Sequence, residues 1–162
     1  MNETSTERRT DGVLLLATDG SDHANAALAA GLRLVDAASR VLLVTVVPAA
    51  DPSVLVGSGH AGPVMTPSQK QELLTAQQEH ARALLDAAAR FLSDDTVGMT
   101  VETEILEGDP GEQICRRAAA RDIAGIVLGT RGQGGLKRAL LGSVSDHVVR
   151  NAPCPVVTVS PN

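Results

Sequence analysis

The stretch of this chain best suited to chemistry runs from Gly129 to Ser143. It holds Gly132, Gly134, Gly135 and Gly142, with Arg131, Lys137 and Arg138 among them. An apolar run, Ile126-Val127-Leu128, leads in, and an amphipathic helical pattern from Val144 to Arg150 leads out. The order is strand, glycine loop, helix. Glycine lets a backbone turn at positive φ and approach a ligand with no Cβ in the way. A helix N-terminus offers unpaired N–H groups and partial positive charge, which suit a phosphate. The three cationic side chains add charge there, although each reads equally as a solvated surface residue. The chemistry implied is the cradling of a nucleotide's phosphates. One helix dipole favours an anion by about 0.3–1 kcal/mol, whereas micromolar binding needs about 8 kcal/mol. Several amides, serine hydroxyls, an adenine slot and Mg²⁺ on the phosphate oxygens must therefore add up.

Alternation of elements must position this loop. Residues 1–11 are polar and are expected as a disordered tail; residues 12–162 are expected as a single domain. Gly12 to Ala17 is a continuous apolar run of strand length, suited to a sheet covered on both faces. The turn cluster Thr18-Asp19-Gly20-Ser21-Asp22 follows. A helix is expected from Asp22 to Ala38, burying Ala27, Leu28, Gly31, Leu34, Val35 and Ala38. Val41 to Val47 reads as the second strand, and the glycine-broken segment Ala49 to Thr66 as a flap or an insertion. Thr66-Pro67-Ser68-Gln69 starts a helix to about Leu92, with Leu74, Gln77, Ala81, Leu84, Leu85, Ala88, Phe91 and Leu92 as its stripe. Met99 to Leu106 alternates as a half-exposed edge strand. Asp109, Pro110 and Glu112 form a capping box for a helix burying Ile114, Ala118 and Ile123. Pro155 to Val159 is the last strand. Strand–helix alternation implies a parallel sheet with helices on both faces, and ligands beyond the strands' carboxyl ends. Asp19 and the glycine loop both fall there and are expected to meet.

Composition removes several function classes. A net charge of −5 counts against general nucleic-acid binding, and Phe91, the single aromatic, provides no base-stacking platform. No apolar run approaches the ~20 residues of a membrane span, and the first residues lack a secretory core. A cytoplasmic protein without membrane association is expected. Cys115 and Cys154 lack CxxC spacing and read as reduced thiols; the four histidines show no metal-ligand spacing, and His147 reads as structural. The glycine loop is not a P-loop, because Ser143 follows Gly142 with no lysine between; nor is it a dinucleotide fingerprint, whose third glycine would stand at Lys137.

What the loop does match is Gly-x2-Gly-x9-Gly-Ser, at Gly129, Gly132, Gly142 and Ser143. With Asp19 after the first strand, this resembles the ATP-binding branch of the universal stress protein family. Gly108-Asp109-Pro110 and Asn151-Ala152-Pro153-Cys154-Pro155-Val156-Val157 add to the likeness, which covers about Gly12 to Ser160. The chain departs from the family at Ala124-Gly125, where an acidic residue is frequent. The resemblance implies an α/β three-layer sandwich whose five-stranded parallel sheet has order 3-2-1-4-5, with ATP (or ADP or AMP) between the first and fourth strands. Carried over by position, Asp19 lies near ribose and metal-bound phosphates, with Mg²⁺ close by and no metal site of protein side chains alone. Val46 meets adenine through its backbone. Gly129, Arg131, Gly132, Gly142, Ser143, Val144 and Ser145 hold ribose and phosphates. A homodimer through Val156 to Val159 and a regulatory role in stress response are also implied; with no poised general base in the sequence, at most slow ATP hydrolysis is expected. Two alternatives stay open: a slow Mg-dependent ATPase or nucleotidyl transferase using Asp19 with Lys137 or Arg138, and a nucleotide-free dimeric scaffold.

Overall fold

The computed structural model describes residues 10–35, 38–49, 66–120, 122–130 and 141–160. Nine elements alternate in these residues: β1 (Thr10–Ala17), α1 (Asp22–Leu34), β2 (Ala38–Val47), α2 (Pro67–Phe91), β3 (Thr100–Glu107), α3 (Pro110–Ala118), β4 (Ile123–Gly129), α4 (Ser143–Asn151) and β5 (Val156–Val159). The strands form one sheet in the order β3-β2-β1-β4-β5, with every pairing parallel. The expected strand order is therefore observed.

Side chains alternate across the sheet and build a core on each face. On one face Leu14, Leu16, Val41, Leu43 and Val127 pack against Leu28 and Leu32 of α1 and Leu85 and Ala88 of α2. On the other, Val13, Leu15, Leu42, Val44, Ile126 and Leu128 meet Ile114 and Ala118 of α3 and Val148 of α4. Leu15, Leu16, Leu43, Val44, Ile126 and Val127 have no exposed surface, which explains why the central strands read as unbroken apolar runs. β3 lies at the edge. Its Val101 and Ile105 stand on the α2 face, while Glu102 pairs with Arg40 at 3.0 Å and Glu104 with Arg117 at 2.8 Å.

Two expectations about helix faces are corrected. α1 ends at Leu34, not Ala38, because Ala38 pairs with Thr10 and the chain there is extended. The ladder outweighs alanine's helix propensity. Leu34 is 73% exposed, and Leu32 (4%) takes the inward place four residues after Leu28. On α2 the inward series is Ala81, Leu85, Ala88 and Leu92, and Phe91 falls outside it at 54% exposed. The helix starts match closely. Thr66 and Gln69 form the reciprocal capping box, and Asp109 accepts from the amide of Glu112 at 3.0 Å.

Candidate functional site

A row of residues crosses the sheet's carboxyl edge. Ala17 of β1 is in register with Val44 of β2 and with Leu128 of β4. Two positions further along each strand stand Asp19, Val46 and Thr130. Neighbouring strands are about 4.8 Å apart, so residues far apart in sequence share one rim. Between β1 and β4 the connections diverge: β1 leads to α1 on one face, β4 to α4 on the other. This divergence opens the crevice where doubly wound sheets take their ligands.

The β1 side is wired before any ligand arrives. Gly20 turns at φ +80°, in the region that favours glycine. Its amide donates to Thr18 Oγ1 at 3.0 Å, and that hydroxyl donates to Asn25 Oδ1 at 2.9 Å. Asp19 Oδ1 accepts from the amide of Ser21 at 3.0 Å and from its hydroxyl at 2.7 Å. Ser21 Oγ in turn caps α1 by accepting from the amide of Ala24 at 3.1 Å. The carboxylate of Asp19 is thereby held at the rim by its own turn.

The β4 side closes on itself. Thr130 donates its amide to Val159 O at 2.9 Å, and its carbonyl accepts from the amide of Gly142 at 2.7 Å. Ser145 Oγ lies 3.1 Å from Thr130 O and 3.0 Å from Gly142 O, one proton shared between two carbonyls. Ser145 is buried (2%), Ser143 is exposed and Val144 is partly buried. Gly142, not Ser143, is the N-cap of α4, with φ −75° and ψ 166°. Among the described residues no side chain caps this helix, whereas Ser21, Thr66 and Asp109 cap α1, α2 and α3. The one uncapped N-terminus among the described helices is the one at the crevice. Arg131, Gly132, Lys137 and Arg138 lie outside the described residues, as do residues 1–9 of the expected tail and 50–65 of the expected flap.

Sequence reading missed Thr130. It is 8% exposed, and its Oγ1 is the buried side-chain oxygen without a hydrogen-bond partner among the described residues. A buried unmet hydroxyl is unfavourable by about 1–3 kcal/mol. Its only signal was its place inside the quoted Gly129-to-Gly132 run. His147 packs where α4 approaches α3: a Cβ on Gly111 would stand 2.7 Å from His147 Cγ. Burial raises the pKa of both thiols, and for Cys115 the charge of Cys154 raises it further.

Fold and rim together define a doubly wound α/β protein with a crevice at the β1–β4 switch point. The sequence model of the universal stress protein family matches residues 12–160, and the chain belongs to that family. A universal stress protein of Thermus aquaticus is 36% identical over 146 residues, covering 90% of this chain and 96% of the relative. The solved structure of MJ0577 from Methanocaldococcus jannaschii superposes with a TM-score of 0.72 at 26% identity, over 93% of this chain and 96% of that one. A universal stress protein family protein from Arabidopsis thaliana, solved with AMP bound, superposes with a TM-score of 0.59 over 93% of this chain and 92% of that one. Its 18% identity makes it a likeness of fold. No helix among the described residues is long and apolar enough to cross a membrane.

Proposed function

We propose that this chain binds an adenine nucleotide, with ATP as the first candidate and ADP or AMP as the others, across the carboxyl ends of β2, β1 and β4. The single observation that carries this reading is the uncapped N-terminus of α4, facing the crevice with glycine where its three sister helices have a capping side chain. An anionic ligand caps such a terminus as a side chain would. The residues fit the group. Gly142 leaves room for phosphate oxygens beside the first-turn amides, Ser143 adds an exposed hydroxyl, and Thr130 holds an unmet buried hydroxyl at the same rim. Gly129, Val144 and the amides near Ser145 would line the phosphate and ribose path, with Arg131 and Gly132 completing it as the motif implies. Val46 would supply backbone groups to adenine. Asp19 would sit beside a Mg²⁺ brought by the phosphates, since the described residues contain no cluster of three His, Cys, Asp or Glu. The solved family protein with AMP supports the view that this fold accommodates an adenine nucleotide.

Binding, not turnover, is the role we assign, in a cytoplasmic homodimer that responds to stress. The edge strand β5, Val156–Val159, is the surface for the dimer; its outer side pairs with no strand among the described residues.

Gly142→Asp separates binding from folding. Aspartate is a strong N-cap, and φ −75° suits any residue, so the fold should hold or gain about 0.5 kcal/mol. The new charge sits where the phosphates would lie. Calorimetric titration of wild-type protein with MgATP should give saturable binding, and the variant none. A folded Gly142→Asp chain with undiminished affinity would refute the site. Because the chain has no Trp or Tyr, a 260 nm band in protein freed of nucleic acid would report co-purified nucleotide directly. Multiple turnovers of MgATP that collapse in Asp19→Ala would make the protein an ATPase instead.

A further inference from the structure

We propose that α2 is a positioning element for the crevice, acting through two residues on one face, Gln77 and Leu84. The inference rests on the nucleotide reading above and extends it to a helix that no motif touches. Residues seven apart on a helix share a face. Leu84 lies against the β1 turn: a Cβ built on Gly20 would stand 2.5 Å from Leu84 Cγ and 2.6 Å from its Cδ1. The leucine therefore fills the space that glycine's missing side chain leaves, at the one position of that turn with positive φ. Asp19, directly before Gly20, is bonded into the same turn through Ser21. Gln77 Nε2 reaches the carbonyl of Pro48 at 3.4 Å, a long bond, just past the end of β2 and two residues beyond Val46.

The arrangement follows from the direction of α2. Its later residues Ala81, Leu85, Ala88 and Leu92 are buried against the sheet. Its earlier turns run past the sheet's carboxyl edge, where Gln77 continues the same stripe with an amide in place of an apolar group. Among the described residues its partner there is the carbonyl of Pro48, at the end of β2. One rigid helix thus rests on both the β1 turn that holds Asp19 and the β2 end that holds Val46. A shift of α2 along or away from the sheet moves both walls together. Coupling is reciprocal: if α2 sets nucleotide affinity, the nucleotide must stabilise α2's docking.

The test uses the full chain and MgATP. Leu84→Ala should weaken binding about tenfold, within the ordinary range of site-to-site couplings, and Gln77→Ala only about threefold, because its bond to Pro48 is long. Leu84→Met, which keeps bulk over Gly20, should restore affinity. Leu92→Ala, buried at the C-cap of the same helix, should lower the melting temperature at least as much as Leu84→Ala while leaving affinity unchanged. MgATP should also slow amide hydrogen exchange across residues 73–84 of the wild type, and that protection should vanish in Leu84→Ala. If the wild type binds MgATP and both Leu84→Ala and Gln77→Ala bind equally well, the positioning role is overturned while the site stands. If Leu92→Ala weakens binding as Leu84→Ala does, α2 is merely structural and the proposal fails. Absence of wild-type binding removes the nucleotide reading and this inference with it.

Discussion

The amide of Gly142 donates to the carbonyl of Thr130 at 2.7 Å, so the chain that leaves β4 returns to its own exit point. Closing a loop of about ten residues has an entropic cost near 2 kcal/mol. Here the protein meets it with contacts of its own. A ligand at this rim then meets two loop ends that are already tied together. The hydroxyl of Ser145 reinforces the closure from beneath, which makes Ser145 a holder of the loop's ends as much as a ligand contact.

Ser145→Ala should therefore affect stability mildly and affinity more. Each carbonyl keeps another donor after the change: Thr130 O retains Gly142's amide, and Gly142 O retains that of Asp146 at 2.9 Å. Loss of one shared hydrogen bond is expected to reduce stability by about 1 kcal/mol in urea denaturation. Titration with MgATP should show a several-fold weaker complex, because the helix terminus and the loop exit are no longer tied as firmly. A stability loss with unchanged affinity would separate the clasp from binding.

Thr130→Val tests the unmet hydroxyl. Valine keeps the branched shape and removes the oxygen that has no partner among the described residues. In ligand-free protein the change should stabilise the fold by about 1 kcal/mol. If the hydroxyl finds its partner in the liganded state, the same variant should bind MgATP several-fold more weakly, and Thr130→Ser should bind as the wild type does. Destabilisation of the ligand-free Thr130→Val chain would mean that a buried water already serves the oxygen.

How much of this was legible in the sequence depends on the range over which each feature is decided. The Asp109 cap and the Thr66–Gln69 box are local, and short spacing was enough to read them. The sheet order came from the family resemblance; alternation by itself implied only a parallel sheet. The level at which Asp19, Val46 and Thr130 stand is a matter of strand register, which no local pattern encodes. The same holds for Leu84 over Gly20. Leu34 looked buried because its spacing fitted a helical stripe, but Leu32 faces the sheet; Val35, at the C-cap, does pack against the core. The N-cap of α4 is Gly142, a place that glycine takes less often than serine and that the motif alone did not mark.

Gly31 is a packing requirement. A Cβ there would collide with Cγ1 of Val127, a side chain with no exposed surface on β4. Alanine in place of glycine gains about 1 kcal/mol of helix propensity, yet overpacking a full core typically has a cost of about 1–3 kcal/mol. The collision should win, and Gly31→Ala should lower the urea midpoint. In the double variant Gly31→Ala/Val127→Ala the new methyl occupies vacated space. The two changes should then be less destabilising together than their sum by at least 0.5 kcal/mol. Additive behaviour would show that α1 shifts freely over the sheet.

The paired thiols make the last prediction, one of pH. Burial raises the pKa of Cys115, and a negative charge on Cys154 raises it further; burial alone raises that of Cys154. A folded-state pKa above the unfolded value, about 8.5 for cysteine, means that the folded chain holds its thiol protons longer. The associated stability is complete below that value and is lost as pH rises towards the folded pKa. Urea midpoints should accordingly fall more steeply above pH ~8.5 in the wild type than in Cys115→Ser/Cys154→Ser. Alkylation rates of Cys115 followed against pH give the finer test. Cys154→Ser removes the neighbouring charge and should move the midpoint of Cys115 reactivity to lower pH, though not to that of a free thiol, because burial remains the larger cause. A midpoint unmoved by Cys154→Ser would show that the two sulfur atoms titrate independently.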